Sequence, residues 1–212
     1  MSITDLLTED RGRGSKIFGV VVGIVTNNKD PDGLGRVKVK IPVLSGDDES
    51  HWARVVTFMG GKERGAFFLP EVDDEVLVTF EHGDLSSPYV IGALWNGVDK
   101  PPETNGDGKN NVRLIKSRSG HMIRLDDTDG AEKIEVIDRT GKNLISVDTA
   151  SNTVTVNSDK DITLSAPNGT ITIEAQDVAI KASASAKTES GAGMELNASG
   201  TMTIKGATVN IN

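Results

Sequence analysis

Residues 144–180 read LISVDTASNTVTVNSDKDITLSAPNGTITIEAQDVAI, and this stretch decides how the second half of the chain folds. Short runs in which apolar and polar residues alternate are separated by spacers rich in Asp, Asn, Ser and Gly, which is typical of short strands joined by turns. The runs recur every eight or nine residues, so they form an internal repeat. The apolar residues that mark this period are Ile145, Val154, Ile162, Ile171 and Ile180.

This repeat has too little apolar mass to build a compact core within one chain. Alternation at period two places the apolar side chains of each strand on one face only, and no aromatic residue follows Trp95. A narrow stripe of Ile and Val must therefore be buried against other strands. Two arrangements remain open. The chain coils on itself as a single-chain β-helix, or three chains wind together around a shared axis as an intertwined triple-stranded β-helix, that is, a β-prism shaft.

The length of the repeat favours the trimer, because a unit of about nine residues is short for a whole coil but suits one side of a three-sided prism. Further alternating runs precede this stretch, HMIRL (121–125) and KIEVID (133–138), and follow it, TMTIK (201–205) and TVNIN (208–212). The residues predicted to line the trimer axis are Ile145, Val154, Ile162, Ile171, Ile180, Ile204, Val209 and Ile211.

The first half of the chain predicts a small all-β domain. RVKVKIPV (36–43) alternates apolar and basic residues, EVLVTF (75–80) is a second clear strand, and GGKERG (60–65) predicts a turn. IFGVVVGIV (17–25) is apolar almost throughout and predicts a strand buried on both faces. Five or six short strands at this spacing predict an antiparallel barrel, and a five-stranded OB-type barrel is the most economical fit. Gly33 and Gly35 are expected to shape a hairpin.

Composition excludes several classes of protein. The chain has no cysteine, so neither a disulfide framework nor a thiolate metal site is expected. A formal charge of −8 argues against a dedicated nucleic-acid binder. No apolar run has the length of a membrane-spanning helix or of a signal peptide, so we expect synthesis in the cytoplasm without a signal peptide.

The sequence predicts no catalytic residue, no metal ligand set and no cofactor site. Asp73, Asp74 and Glu75 are adjacent, and neighbouring strand residues point to opposite faces, so they do not form a carboxylate pair over one cleft. The histidines are far apart along the chain: His51, His82 and His121. We therefore expect a protein that is not an enzyme.

Several motifs of the first half resemble, as an ordered set, the OB domain of baseplate spike proteins. They are GIVTNNKDPDGLGRVKVKIP (23–42), PEVDDEVLVTF (70–80) followed by Gly83–Asp84, and PYVIGALW (88–95). The chain is accordingly identified as similar to the phage baseplate assembly protein V family and to the VgrG-like spikes of contractile injection systems. In these families a trimeric β-helix shaft with T-I-x-I and V-x-V units follows the OB domain, as at 170–173 and 153–156 here.

The resemblance implies a structural homotrimer beneath a hub, whose shaft pierces the target envelope when a sheath contracts. It implies four domains: an N-terminal arm (1–16), an OB-fold barrel (17–97), a linker (98–112) and a trimeric β-helix spike (113–212). The linker is too short to hold the catalytic domain that some relatives insert there. Assembly into a virion or an injection-particle baseplate is expected.

The expected partners follow from the same resemblance. A baseplate hub protein is expected at the N-terminal side, where Leu6 and Leu7 either dock on it or form an exposed end. A PAAR-repeat tip protein is expected on a flat C-terminal platform, with effector cargo as a further partner and with the target membrane pierced rather than bound. The platform consists of Val209, Asn210, Ile211 and Asn212.

An alternative function is an OB-fold module that binds oligosaccharide or nucleic acid on a β-helical stalk. Such a face shows aromatic and basic residues together. Lys38 and Lys40 are basic, but their own strand has no outward aromatic residue, which favours the spike and no nucleic-acid partner.

Overall fold

The computed structural model describes residues 16–44 and 48–211 and shows an all-β protein. Its chain divides into two compact units, one ending at Asp159 and one beginning at Lys160. The expected N-terminal arm lies outside the described residues except for Lys16. Within the part of the chain that is described, no helix is long and apolar enough to cross a membrane.

Five strands of the first unit close into a barrel in the order β1-β2-β3-β7-β6. A short hairpin, β4–β5, forms within the predicted turn at 60–65. The strand bounds are β1 Val20–Asn27, β2 Arg36–Lys40, β3 Ala53–Val55, β4 Gly60–Gly61, β5 Arg64–Gly65, β6 Glu75–Phe80 and β7 Pro88–Ala93.

The prediction of an antiparallel barrel is wrong at one of its five seams. β3 pairs with β7 in parallel, with Arg54 opposite Tyr89, whereas the other four neighbouring pairs are antiparallel. The reason is geometric, because an odd number of strands cannot alternate in direction all the way around a closed ring.

Valine is the commonest residue of the barrel interior, supplying six of its nine buried side chains among the described residues. Alternation on β2 buries Val37 and Val39, and alternation on β6 buries Val76 and Val78, all with no exposed area. The remaining buried core side chains are Val25, Ile41, Ala53, Phe80 and Val90. The expectation that β1 is buried on both faces is wrong, since Val20 and Val22 are 54% and 41% exposed on the outside of the closed barrel.

The β1–β2 connection is held by one carboxylate. Asp30 accepts hydrogen bonds from the backbone N–H groups of Asp32 (3.1 Å), Leu34 (3.0 Å) and Arg36 (3.2 Å). Gly33 and Gly35 take φ values of 65° and 68°, which a residue with a Cβ rarely adopts. The two glycines therefore shape the hairpin as predicted.

The repeat region begins as a five-stranded antiparallel meander in the order β12-β11-β10-β9-β8. Four of its strands coincide with predicted alternating runs, and β8 precedes them. The bounds are β8 Val112–Lys116, β9 Met122–Asp126, β10 Lys133–Ile137, β11 Leu144–Asp148 and β12 Thr153–Asn157.

The second unit contains no strand among its described residues, 160–211, although its sequence carries the same alternating pattern. One turn is closed by a hydrogen bond from the Gly169 N–H to the Ala166 carbonyl oxygen at 3.1 Å. Strands predicted in this stretch find no pairing partner among the residues that the structure describes.

Candidate functional site

One face of the β8–β12 sheet is apolar except for Arg113 on the edge strand β8, and we call it the apolar face. It exists because each strand alternates at period two and because the strands pair in a register that aligns their apolar positions. In the longer row Ile123 lies opposite Val136, and Val136 lies opposite Ile145. The nine members of the face, 39% to 68% exposed, are Ile115, Ile123, Leu125, Ile134, Val136, Ile145, Val147, Val154 and Val156.

The opposite face of the same sheet, which we call the polar face, carries paired charged side chains beside a half-buried apolar row of Met122, Ile137 and Leu144. The Arg124 guanidinium lies 2.7 Å from the Asp126 carboxylate and 3.3 Å from that of Glu135. Lys133 pairs with Asp148 across the strands at 3.2 Å. The charged side chains of this face are paired with one another, and the side chains of the apolar face are more exposed than those of the polar face on β9, β10 and β11.

The predicted axis residues fall into two groups. Ile145 and Val154 lie on the apolar face, at 50% and 68% exposure. The other six lie in the second unit and are also exposed, from 47% to 86%: Ile162, Ile171, Ile180, Ile204, Val209 and Ile211. Within one chain none of these six is covered, so their role at an axis stays a prediction.

The predicted tip platform is described only in part. Val209 and Ile211 are 47% and 86% exposed, Asn210 is exposed as well, and Asn212 lies outside the described residues. Two apolar side chains thus stand uncovered near the C-terminal end of the described chain, and the platform stays a prediction.

A groove of about 590 Å³ crosses the barrel beside β2, β3 and β7. Its lining includes Arg36, Trp52, Arg54 and Tyr89. The guanidinium of Arg36 and the ammonium of Lys38 lie 5.7 and 5.6 Å from the Trp52 ring centroid. The Arg54 guanidinium lies 5.5 Å from the Tyr89 ring centroid. These are cation–π distances.

This arrangement corrects one step of the sequence analysis. Lys38 has no aromatic neighbour on its own strand, but Trp52, just ahead of β3, places its ring beneath the lysine. Basic and aromatic side chains therefore do meet on the barrel, because pairing of β2 with β3 brings together residues that are distant in sequence.

The two arginines of the groove differ in how their charge is neutralised. Arg36 lies 2.7 Å from Asp30 and 2.6 Å from Asp32. The pKa of Asp30 is held well below its usual range, first by its hydrogen bond with the Arg36 side chain, and the pKa of Arg36 is correspondingly raised. Arg54, in contrast, has no carboxylate within ion-pair distance among the described residues, and its guanidinium lies over the Tyr89 ring.

The three histidines lie on separate elements, and no group of His, Asp and Glu suited to a metal ion occurs among residues 16–44 and 48–211. His82 lies in a short 3-10 turn with a φ of 48° and next to Gly83. Its position forms part of a tight turn at the end of β6.

The barrel matches a family of known proteins. Residues 21–95 fit the model of the type VI secretion system/phage-baseplate injector OB domain. The barrel is similar to the OB domain of baseplate and VgrG-like spike proteins. The match covers all five barrel strands except the first residue of β1, so the family resemblance read from residues 23–95 is confirmed.

Three relatives show how far this likeness to baseplate spikes extends. The type VI secretion system spike protein VgrG5 of Pseudomonas aeruginosa is 33% identical over 126 residues, which are 55% of this chain and 16% of that protein. VgrG1a of the same species is 30% identical over 61% of this chain and 22% of its own length. VgrG3 of Vibrio cholerae is 30% identical over 49% of this chain and 11% of its own length. This OB-domain chain thus spans about a fifth or less of the relatives it matches.

Sequence reasoning missed parts of both surfaces. It chose one anchor per repeat and so left out most of the apolar face, although the same alternation marks Ile123, Val136 and Val147. It missed the groove for a different reason, since no local pattern indicates that Trp52 lies beside Lys38 or that Arg54 lies opposite Tyr89.

Proposed function

We propose that this protein is the structural central spike of a contractile injection system, in a phage baseplate or a phage tail-like particle. In this proposal three copies assemble beneath a hub protein, their repeat regions intertwine as a triple-stranded β-helix, and the shaft pierces the target envelope. The C-terminal end carries a PAAR-type tip protein. The work of such a spike is mechanical, and no bond is made or broken by it.

The single observation that carries this proposal is the apolar face. Its nine side chains are on average about half exposed in one chain, a contiguous apolar surface of the kind that marks an interface. Completing their burial gains about 1 kcal/mol for each side chain, or about 9 kcal/mol for each chain, before the entropy cost of association. A second and third copy of the same sheet supply matching apolar faces by symmetry.

The second unit supports the same assembly. Alternating runs such as TITI (170–173) present Ile171 and Ile173 at 51% and 69% exposure, and no strand pairs with them within the chain. Extended segments with one apolar edge bury that edge and satisfy their backbone groups when equivalent segments wind around a shared axis. Three such segments wound together would both bury their apolar edges and satisfy their backbone hydrogen-bonding groups.

The proposal predicts a trimeric mass for the full-length chain by light scattering. Val154 and Thr155 are neighbours on β12 that point to opposite faces of the sheet. Val154→Lys places a charge on the apolar face, and we expect it to convert the trimer to monomers, whereas Thr155→Lys adds the same charge to the polar face and leaves the trimer intact.

A monomeric wild-type chain with a cooperative unfolding transition would overturn the shared shaft. It would favour the alternative function, an OB-fold ligand-binding module on a stalk. Equal loss of the trimer in the two lysine variants would show that the apolar face is not the surface through which the copies associate.

A further inference from the structure

The groove between β2, β3 and β7 is not accounted for by the proposed shaft. It lies on the barrel, and none of the nine residues of the apolar face lines it. Its volume of about 590 Å³ falls within the range of about 300–1,000 Å³ that is common for ligand sites. The groove is therefore large enough for a short segment of a partner molecule.

Arg54 is the cation in this groove that is available to a ligand. On the neighbouring strand Arg36 lies directly opposite it, and like charges directly opposite each other destabilise a sheet. Asp30 and Asp32 neutralise Arg36, but Arg54 has no such partner among the described residues. An anionic group bound at Arg54 would complete the charge balance of this strand pair.

The aromatic rings of the groove hold cations rather than offer bare stacking surfaces. Two cations lie over Trp52 and one over Tyr89. The Tyr89 hydroxyl also donates a hydrogen bond to the Glu81 carboxylate at 3.0 Å. Single-stranded nucleic acid relies on uncovered aromatic faces for stacking, and a chain of net charge −8 disfavours a long polyanion. A ligand with one or two carboxylates fits better.

The rest of the groove suits a peptide. Leu34 stands at its rim, 68% exposed, and Val55 and Pro88 add apolar wall. Ser86 and Ser87 supply hydroxyl groups on one side. An extended segment that places an acidic side chain on Arg54 and an apolar side chain against Leu34 would use each of these features.

We infer that this groove binds an acidic peptide segment of a partner protein, in which a carboxylate pairs with Arg54 and a neighbouring apolar side chain packs against Leu34. A guanidinium pairs with a carboxylate through two parallel hydrogen bonds. The Tyr89 ring beneath the guanidinium orients it for this contact. The inference concerns the barrel alone and stands whether or not the shaft is trimeric.

The test uses the full-length chain and a fluorescein-labelled octapeptide of alternating glutamate and leucine, with binding followed by fluorescence anisotropy at low salt. We expect the wild-type chain to bind, and Arg54→Gln to weaken binding by about tenfold or more, as expected for the loss of a charge-assisted pair. Arg54→Lys keeps the charge but loses the paired geometry and is expected to fall between them. Arg139→Gln, an equal charge change at an exposed turn residue, leaves binding unchanged.

Four results would overturn the inference. They are no binding of the acidic octapeptide, equal binding of its glutamine–leucine counterpart, equal affinity of the Arg54→Gln chain at an unchanged melting temperature, and tighter binding of oligothymidylate or chitohexaose than of the peptide. Light scattering on the same samples reports the assembly separately. A monomer that binds the peptide would contradict the proposed spike and support the peptide site. A trimer that does not bind the peptide would support the spike and contradict the peptide site.

Discussion

The barrel and the β8–β12 sheet are built from the same kind of strand, but they differ in how far their apolar side chains are buried within one chain. Strands of both alternate Val or Ile with polar residues. In the barrel this alternation buries Val37, Val39, Val76 and Val78 with no exposed area, because the sheet closes on itself. In the open meander the equivalent positions stay 39% to 68% exposed. Closure, rather than composition, separates a region that buries its apolar positions from one that leaves them partly exposed.

The difference has a consequence for cooperativity. A closed barrel carries its stabilising contacts within one chain, so its unfolding does not depend on protein concentration. The meander and the residues after it obtain theirs from other copies under the proposed function, so their stability follows mass action. The two regions therefore respond differently to equivalent substitutions.

The largest expected effect comes from placing a charge inside the barrel. Val78 is fully buried, while the next residue on β6, Thr79, points outward. Val78→Asp buries a carboxylate without a partner and is expected to lower the free energy of unfolding by about 4 kcal/mol or more, which is enough to unfold many domains. Thr79→Asp serves as the neighbouring control and is expected to cost about 1 kcal/mol. Urea unfolding followed by tryptophan fluorescence measures both, and similar losses in the two variants would contradict the closed valine core.

A pair of smaller truncations tests the comparison itself. Val78→Ala removes buried methyl groups from the barrel and is expected to cost about 2 kcal/mol at any protein concentration. Val147→Ala, on the apolar face, removes the same groups from a side chain that is 39% exposed in one chain. Its effect is expected to appear as a lower melting temperature of the shaft that depends on protein concentration.

Calorimetric melting over a hundredfold range of concentration separates the two variants. A concentration-independent loss in Val147→Ala, equal to that in Val78→Ala, would show that the sheet is completed within its own chain. It would then remove the main physical argument for the shared shaft.

The strands of both regions could be predicted from the sequence because period-two alternation is a local signal. EVLVTF is strand β6 as predicted, and the runs from 121 to 157 correspond to β9 through β12. What could not be predicted depends on pairing between distant residues. The exposure of Val22 follows from barrel closure, and the parallel β3–β7 seam follows from an odd number of strands.

The groove also depends on pairing between distant residues, and the sequence shows no local sign of it. Trp52 and Arg54 lie at the start of β3, whereas Arg36 and Tyr89 lie on β2 and β7, so the groove gives no pattern along the chain. They meet because β3 pairs with β2 on one side and β7 on the other. The axis and platform residues remain predictions for a related reason, since under the proposed function the contacts that would define them lie with other copies of the chain and with a tip protein.

The smallest expected effect concerns the turns, where the two regions use the same device. The Asp138 carboxylate holds the β10–β11 turn, as the Asp30 carboxylate holds the β1–β2 connection. It accepts hydrogen bonds from the Thr140 hydroxyl at 2.8 Å and from the Asn143 side-chain amide at 3.0 Å. These bonds, the Thr140 hydroxyl first, lower the pKa of Asp138 from 3.8 to about 2. Because the folded pKa lies below the unfolded one, the stabilisation is fully present above pH 3.8 and is lost as the pH falls towards 2.

Melting temperatures of the wild type and of Asp138→Asn, measured from pH 7 to pH 2, test this turn. We expect a constant difference in favour of the wild type at neutral pH, which narrows below pH 3.8 and closes near pH 2. Asp129→Asn, at an exposed position in the β9–β10 turn, changes the same charge and is expected to show a smaller difference at neutral pH. If the Asp138 difference persisted unchanged at pH 2, the carboxylate would not be the group that holds the turn, and the shared turn device of barrel and sheet would be contradicted.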